Sequence, residues 1–467
     1  MATIVQAAPP APRYTHWSQS QPKRALDHIP GEDGWPVLGN TLALLADPVG
    51  FGDRMRAKYG DVFRNNAFGR NSVMMFGADA NELVLFDRDK NFSSAQGWGS
   101  VLDLLFPRGL MLLDFDHHRA DRRALSIAFK PGPMRHYADA LNRGIAARVS
   151  EWSGQAMQFY PAIKQLTLDL AADSFLGVPL GPEADAVNKA FVDMVQASIG
   201  VIRKPLPFTA MGRGVAGRKY LVEYFTREAL KRRAEGAKEQ ERQDMFSQFA
   251  TATHEDGALM PVDEVVDHMI FLMMAAHDTI TSSASSLVWL LAKHPEWQDK
   301  MRAEALAVTG GAGRPVAYED MGKLELTEMA FKESLRLIPP VPSIPRRAMR
   351  EFEFGGYRIP AGTGVGISPA AVHMDPDHWP EPARFDPLRF TSDQVAKRHK
   401  YAWAPFGGGA HMCLGLHFAY MQIKVLMVQI LTRYQIEVEP GYAPEWQPWP
   451  IPKPKDGLKV RFTPRAI

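Results

Sequence analysis

The sequence contains very little cysteine: Cys413 is the single thiol among 467 residues. One thiol excludes an internal disulfide and any zinc site that needs several cysteines. An excess of one charge is also missing, since 54 Lys and Arg stand against 52 Asp and Glu, so the whole chain has no strong field for nucleic acid. The lone thiol is then either an inert core residue or a reactive centre.

Long apolar runs are absent as well. The longest, 269–276, is far shorter than the roughly 20 residues that cross a bilayer. The first residues also lack the apolar core of a signal peptide. We therefore expect a cytoplasmic protein without a membrane anchor. Residues 1–28 are rich in Pro, Ala and Gln and are expected to form a mobile N-terminal arm, followed by a single domain over 29–467.

Apolar residues recur three and four positions apart through much of the chain, which predicts a mainly α fold. The run from Asp263 to about Lys293 predicts one long helix, and a closing helix is expected from about Leu414 to Tyr434. Segment 352–370 has the alternation and the glycine turn of a hairpin, so a minor β region is expected. The irregular stretch 371–403 is long for a connection inside a domain, and such loops are usually functional.

The lone cysteine lies in the segment FGGGAHMCLG, residues 406–415. No Gly-Lys-Ser/Thr follows the glycines, which excludes a phosphate loop. Cys413 precedes the closing helix, whose free N–H groups and positive dipole end favour a thiolate. The glycines are expected to let the backbone approach a flat ligand, and Phe406 could shield the sulfur from water. One such thiolate is enough to hold the iron of a haem.

This segment resembles the signature of the cytochrome P-450 haem-thiolate monooxygenases, Phe-x-x-Gly-x-Arg/His-x-Cys-x-Gly. The matching residues are Phe406, Gly409, His411, Cys413 and Gly415. The resemblance covers about residues 29–465 and implies that Cys413 is the ligand of the haem iron, while His411 faces a haem propionate. It also implies the family's fold: mainly α with a minor β region, and haem b between the long central helix and the cysteine-loop helix.

Two adjacent polar residues, Asp278 and Thr279, interrupt the long apolar helix and need partners there. A helix that merely emerges into solvent would explain them too. In the family that the cysteine segment resembles, an acid–alcohol pair at this place delivers protons during oxygen activation. Ala276 stands where the family usually has glycine, so the groove for dioxygen is expected to be slightly tighter.

Glu333 and Arg336 lie three residues apart on one predicted helix face, among apolar neighbours. A surface ion pair is the common explanation for such spacing. The resemblance implies instead a structural network that an arginine before the cysteine completes and that locks the cysteine loop. Arg389 is favoured by its place 413 − 389 = 24 residues before the cysteine, and Arg384 in a similar Pro-x-Arg-Phe element stays an alternative.

His118 and Arg122 are spaced four apart in a charged helix start, where a solvated face is the usual explanation. Many soluble family members carry His-x-x-x-Arg at this place as a clamp on the haem. Arg346 follows Arg336 by ten residues, where related sequences carry another propionate-binding arginine. Two or three such cations would balance the negative charges of the two buried haem propionates.

The resemblance implies a reaction in which O2 is activated and one oxygen atom enters a C–H or C=C bond of a hydrophobic substrate. NAD(P)H is expected to act only indirectly, through a separate ferredoxin or flavodoxin-like electron donor with its reductase. Two alternatives stay open. A peroxide-dependent or isomerising haem-thiolate enzyme would normally lack the pair at 278–279. A non-enzymatic haem-binding sensor would not need the oxygen-handling residues at all.

The substrate is expected to be bulky and apolar, an isoprenoid such as a terpenoid, a retinoid-like compound or a steroid. By family analogy the pocket is lined by residues that are almost all apolar, although apolar linings are common to nearly every member. Arg108 and Arg203 are the two cations nearby whose orientation the sequence leaves open. The predicted pocket residues are Trp98, Val101, Leu102, Leu105, Phe106, Phe271, Met274, Ala275, Val341, Pro342 and Ile344.

Overall fold

The computed structural model describes residues 14–19, 21–22, 24–177, 181–198, 200, 203–236 and 242–465. Most of these residues lie in helices, as the apolar periodicity predicts. The α-helices are α1 (Thr41–Ala46), α2 (Pro48–Tyr59), α3 (Ala78–Phe86), α4 (Ser94–Leu102), α5 (Phe115–Leu125), α6 (Pro131–Ser150), α7 (Phe159–Ala171), α8 (Pro182–Ser198), α9 (Ala210–Glu235), α10 (Met245–Ala250), α11 (Val262–Lys293), α12 (Pro295–Thr309), α13 (Glu325–Leu337), α14 (Pro369–His373), α15 (Ser392–Ala396) and α16 (Leu416–Leu431).

The strands are short and form a minor β region. They are β1 (Gly31–Glu32), β2 (Val62–Ala67), β3 (Arg70–Met75), β4 (Phe92–Ser93), β5 (Ala156–Gln158), β6 (Ile344–Ala348), β7 (Phe352–Phe354), β8 (Tyr357–Ile359), β9 (Gly364–Ile367), β10 (Tyr434–Glu437), β11 (Trp446–Gln447), β12 (Lys453–Pro454) and β13 (Lys459–Pro464). The largest sheet has the order β1-β2-β3-β9-β6-β4, so β6 lies between β9 and β4. The hairpin expected within 352–370 is confirmed as β7 and β8.

The long helix expected from Asp263 to Lys293 is confirmed as α11, which begins one residue earlier at Val262. Acidic residues occupy its first turn, where the helix dipole favours negative charge. The helix ends before Pro295, which cannot continue the hydrogen-bond ladder of a preceding helix. It packs against α7, α8, α9, α12 and α13, so its middle lies inside the helical core.

The closing helix α16 is shorter than expected. It begins at Leu416 rather than Leu414 and ends at Leu431, because Tyr434 already pairs with Pro464 in the antiparallel ladder of β10 and β13. From Phe418 to Leu431 nearly every side chain is buried, including Lys424, whose charge is paired with Glu328.

The two largest apolar cores among the described residues are a helical one and one beneath the main sheet. The helical core gathers side chains from α4 to α16 and includes Phe271 and Phe418, whereas the smaller core beneath the sheet includes Val365 and Ile344. The stretch 371–403 holds the short helices α14 and α15 and several single helical turns, so it is less irregular than the sequence predicts.

The segment before residue 29 packs against the sheet where it is described. The Tyr14 ring is buried under the Arg347 guanidinium, whose Nη1 donates to the carbonyls of His16 and Trp17. This part of the expected mobile arm is therefore held in place, and residues 1–13 lie outside the described residues. The division into an arm and one domain stays a prediction. Within the described ranges, no helix has both the length and the apolar character needed to cross a membrane.

Candidate active site

The glycines before Cys413 fasten the cysteine loop to its protein neighbours. A Cβ at Gly409, which has a φ of 59°, would lie 2.0 Å from the carbonyl oxygen of Leu85 at the end of α3. A Cβ at Gly408 would lie 2.6 Å from the Tyr401 ring. Close packing against protein therefore requires glycine at both positions, and the approach of the loop backbone to a flat ligand stays a prediction.

Cys413 itself has many protein atoms around it, yet its side chain remains accessible. Its N–H donates to the Phe406 carbonyl at 2.9 Å, which closes the loop. A Cβ added at Gly415 would meet no atom within 4 Å, so the loop opens on this side. The Phe406 ring packs on Tyr420, with ring centroids 5.6 Å apart.

Opposing effects act on the pKa of the Cys413 thiol. Burial raises the pKa of the thiol, and this effect outweighs the Gly415 N–H and the Arg122 charge, which both lower it. The Gly415 N–H, at the N-cap of α16, lowers the pKa as a helix start should, and the thiolate stays a prediction. Coordination to a metal deprotonates a thiol outright, so a bound iron would hold the sulfur as a thiolate.

Four basic side chains from three parts of the chain meet beside the cysteine. The rings of His118 on α5 and His411 in the cysteine loop have centroids 3.9 Å apart. Arg122, one turn along α5, lowers the pKa of both His411 and Cys413 by its charge. Arg346, on β6, lowers the pKa of both histidines.

No carboxylate in the described ranges contacts the two arginines of this basic cluster, although Asp114 and Asp87 act on Arg346 at longer range. Arg346 is buried and, within these ranges, donates only to the Pro345 carbonyl. Burial and the neighbouring cations lower the pKa of His118 to about 4 and that of His411 to about 2, while burial lowers the pKa of Arg346 to about 10. Buried cations require compensation, and a ligand with two carboxylates beside a thiol would provide it. These residues therefore fit a haem.

Asp278 faces away from the solvent, toward α7. Its Oδ1 lies 3.2 Å from Lys164 Nζ and 3.2 Å from His277 Nδ1. Burial acts to raise the pKa of Asp278, but His277 and Lys164 outweigh it and lower the pKa to about 2. The Thr279 hydroxyl donates to the Ala275 carbonyl one turn earlier, at 2.7 Å. The acid is therefore charged and fixed, while the alcohol has an oxygen that can still accept a hydrogen bond.

Glu333 and Arg336 form a completely buried bidentate pair, with Nε to Oε2 at 2.7 Å and Nη2 to Oε1 at 2.8 Å. Arg389 Nε lies 3.5 Å from Glu333 Oε1, and its Nη2 donates to the Glu381 carbonyl. The Arg384 guanidinium instead pairs with Glu381 at the surface, and only its carbonyl reaches Arg336. Of the two candidate arginines, the structure places Arg389 against the buried carboxylate.

Comparisons with known proteins agree with this geometry. The family model for Cytochrome P450 matches residues 29–462. The chain belongs to the cytochrome P450 family. It is 35% identical to a putative cytochrome P450 136 of Mycobacterium tuberculosis, over 96% of this chain and 91% of that protein. It is 28% identical to abscisic acid 8'-hydroxylase 2 of rice, Oryza sativa, over 95% and 88% of the two chains.

The fold is also that of a P450. The structure of retinoic acid-bound cyanobacterial CYP120A1 superposes with a TM-score of 0.84 at 29% identity and covers 94% of this chain and 99% of that one. Membership makes the protein a P450 monooxygenase, and use of haem and O2 is a general property of the family.

The predicted substrate pocket of this P450 divides between the two apolar cores. Most of its residues lie in the large helical core, where the rings of Phe106 and Phe271 meet edge to face. Val341 and Ile344 belong to the core under the sheet. The two groups approach each other where α4 crosses β6, because Gly97 lies directly against the Pro345 backbone.

Sequence reasoning missed the partner of Asp278. Lys164 lies on α7, more than a hundred residues earlier in the chain, and no local spacing connects the two. It also gave His277 only a possible place in the pocket lining, whereas the ring is buried and lines a cavity with Thr167 and Gln422 on the side of α11 that faces α7 and α16. Both features depend on how α7 and α16 pack against α11, which no local sequence motif encodes.

Proposed function

We propose that this P450 monooxygenase inserts one oxygen atom of O2 into an isoprenoid, a terpenoid, retinoid-like or steroid compound. In this proposal Cys413 holds the haem iron, and the basic cluster of His118, Arg122, Arg346 and His411 holds the two propionates. When bound, haem supplies O2 activation, which electron donation from a thiolate promotes. The chain's own residues then bind the cofactor, orient the substrate, exclude water and move protons.

Asp278 and Thr279 are proposed to handle those protons. With a pKa of about 2, Asp278 is a carboxylate at neutral pH and has no proton of its own to donate, but with Lys164 beside it the pair can pass a proton from the half-exposed ammonium inward. Phe271, Ala275 and Thr279 are spaced four apart and share one face of α11, so the hydroxyl belongs to the face that carries the predicted pocket.

The single observation that supports an apolar substrate is that both nearby cations are already engaged. Arg203 donates to the carbonyls of Ser198 and Val101, each at 2.7 Å. Arg108 pairs with Asp263 at the start of α11. Binding would then depend on buried apolar area, at about 25 cal/mol per Å². The names of two relatives mention abscisic acid and retinoic acid, which are both isoprenoids.

The remaining assignments stay predictions. A ferredoxin or flavodoxin-like donor with its reductase is proposed as the electron source, and the cytoplasm as the location. The fixed Asp278–Lys164 pair beside Thr279 disfavours a peroxide-dependent enzyme. Hydrogen peroxide already carries the protons that this pair is proposed to deliver.

A spin-state titration of the ferric protein tests the substrate class. The panel should pair retinoic acid with retinol and abscisic acid with its alcohol, beside a steroid, a fatty acid and a sugar. We expect the isoprenoids to change the Soret absorbance, with acid and alcohol of each pair binding within about threefold, since neither Arg203 nor Arg108 is free to distinguish them. Spectral binding confined to the sugar or the fatty acid would overturn the proposal.

A further inference from the structure

A second group of ligand-type side chains lies where α5, α11 and the hairpin at 253–259 meet. Asp121 on α5, His254 on the hairpin and Glu264 in the first turn of α11 converge there, and one ligand atom from each lies within 4.8 Å of the others. The hairpin is a defined structure, since the N–H of His254 donates to the Ala258 carbonyl at 2.9 Å.

The charges in this cluster are incompletely compensated. The only hydrogen bond that the described residues give to Asp121 comes from Nε2 of His268, at 3.0 Å, and a histidine is neutral unless protonated. Glu264 has Arg108 at 3.7 Å from its Oε1, while its Oε2 lies 3.9 Å from His254 Nε2. Two half-buried carboxylates therefore meet an imidazole, with one half-exposed arginine at the edge.

His268 adds a buried group aimed at this cluster. It lies one turn after Glu264 on α11, is 2% exposed, and points its Nε2 at Asp121, while no described residue bonds its buried Nδ1. A carboxylate only accepts hydrogen bonds, so Nε2 carries the proton of this bond. Such pairs of histidine and carboxylate orient ligands around metal ions.

We propose that Asp121, His254 and Glu264 bind a zinc ion, with a water as fourth ligand and His268 as the residue that orients Asp121. One imidazole and two carboxylates are a ligand set that zinc accepts, whereas Mg²⁺ and Ca²⁺ prefer oxygen alone. Ligand atoms around a tetrahedral zinc stand about 3.4 Å apart at bond lengths of roughly 2.0–2.2 Å. Small rotations of these partly buried side chains would bring the present atoms to that spacing.

The ion would join the two helices that carry the active-site residues. Asp121 is adjacent to Arg122 of the basic cluster, and Glu264 lies on the same helix as Asp278. Zinc would therefore hold α5 to the beginning of α11 and stabilise the folded protein by mass action.

Zinc binding to the holoenzyme tests the proposal. Chelator-treated holoenzyme is titrated with ZnCl2 by calorimetry, and its unfolding temperature is measured with and without zinc. We expect one tight site per chain and a higher unfolding temperature with zinc. MgCl2 at the same concentration should have neither effect.

Variants decide whether the site is this one. His254→Gln and Asp121→Asn should each lower zinc affinity at least about tenfold, and His268→Asn about tenfold by releasing Asp121. His136→Gln, at an exposed histidine on α6, is the matched control and should bind as the wild type does. The proposal is overturned if the wild type binds no zinc, or if His254→Gln and His136→Gln bind it equally well. The wild-type Soret band provides a check that all variants carry haem.

Discussion

At the scale of single residues, Thr279 has a hydroxyl whose one proton is directed at the backbone of its own helix. Its oxygen is left to accept, and rotation about χ1 would let it donate instead. The charged neighbour Asp278 is held by Lys164 from another helix. The Asp278 side chain is therefore fixed, whereas the Thr279 hydroxyl can rotate. This combination suits a fixed proton source, Asp278 with Lys164, beside a movable proton relay, Thr279.

We predict that Thr279→Ala binds haem and substrate but yields at least about tenfold less product per NAD(P)H consumed. Positioned proton transfer contributes roughly 100-fold or more, and electrons that are not used productively leave as hydrogen peroxide. Thr279→Ser keeps the hydroxyl and is the control. Equal product yield for the alanine and serine variants would remove Thr279 from the mechanism.

His373 provides a pH-dependent test away from the cofactor. It is completely buried, its Nε2 accepts from the Ala404 N–H at 3.0 Å, and burial, with the nearby Arg336 charge, lowers its pKa from 6.5 to about 3. Below about pH 6.5 the unfolded chain gains a proton that folded His373 does not, so stability falls as the pH decreases.

We expect the free energy of unfolding to fall between pH 7 and pH 5 by about 2 kcal/mol more in the wild type than in His373→Asn. Asparagine keeps an acceptor and does not titrate. The measurement is urea unfolding at the two pH values, followed by tryptophan fluorescence. An equal decrease in the free energy of unfolding in the two proteins would contradict the prediction, because it would mean that His373 takes up a proton in the folded state as readily as in the unfolded chain.

At the scale of secondary-structure elements, periodicity predicts α11 within one residue, because its apolar pattern is long and Pro295 marks its end. It does not predict which helices touch it. The α7 contact depends on Lys164 and on the pairing of Thr167 with Thr281, which are far from each other in the chain. The order of the main sheet likewise depends on long-range pairing such as that of β3 with β9.

The two arginines in the stretch before the cysteine loop, Arg389 and Arg384, are predicted to differ in their effect on stability. Arg389→Gln removes a cation from the buried Glu333 and should destabilise the holoenzyme by about 1–3 kcal/mol and lower its haem content. Arg384→Gln removes only a surface ion pair and should change stability by no more than about 0.5 kcal/mol. Thermal unfolding of both variants measures this, and equal losses would contradict the assignment of Arg389.

At the scale of the whole molecule, the fold class and the cysteine loop follow from the sequence because a dense local motif and a long apolar helix carry them. The meeting of His118 and His411 could be inferred only through resemblance to a family, since nothing local connects α5 with the cysteine loop. The packing of Gly409 on Leu85 and the raised pKa of the Cys413 thiol required the surrounding structure.

The central claim is that Cys413 holds the haem iron, and the reduced protein with carbon monoxide tests it most directly. We predict a Soret band at the longer wavelength typical of thiolate ligation in the wild type. That band should be lost in Cys413→Ala and in Cys413→His, whose imidazole would give the shorter-wavelength band of a histidine-ligated haem. A Cys413→Ala protein that keeps the long-wavelength band would contradict the claim, because the chain has no other thiol.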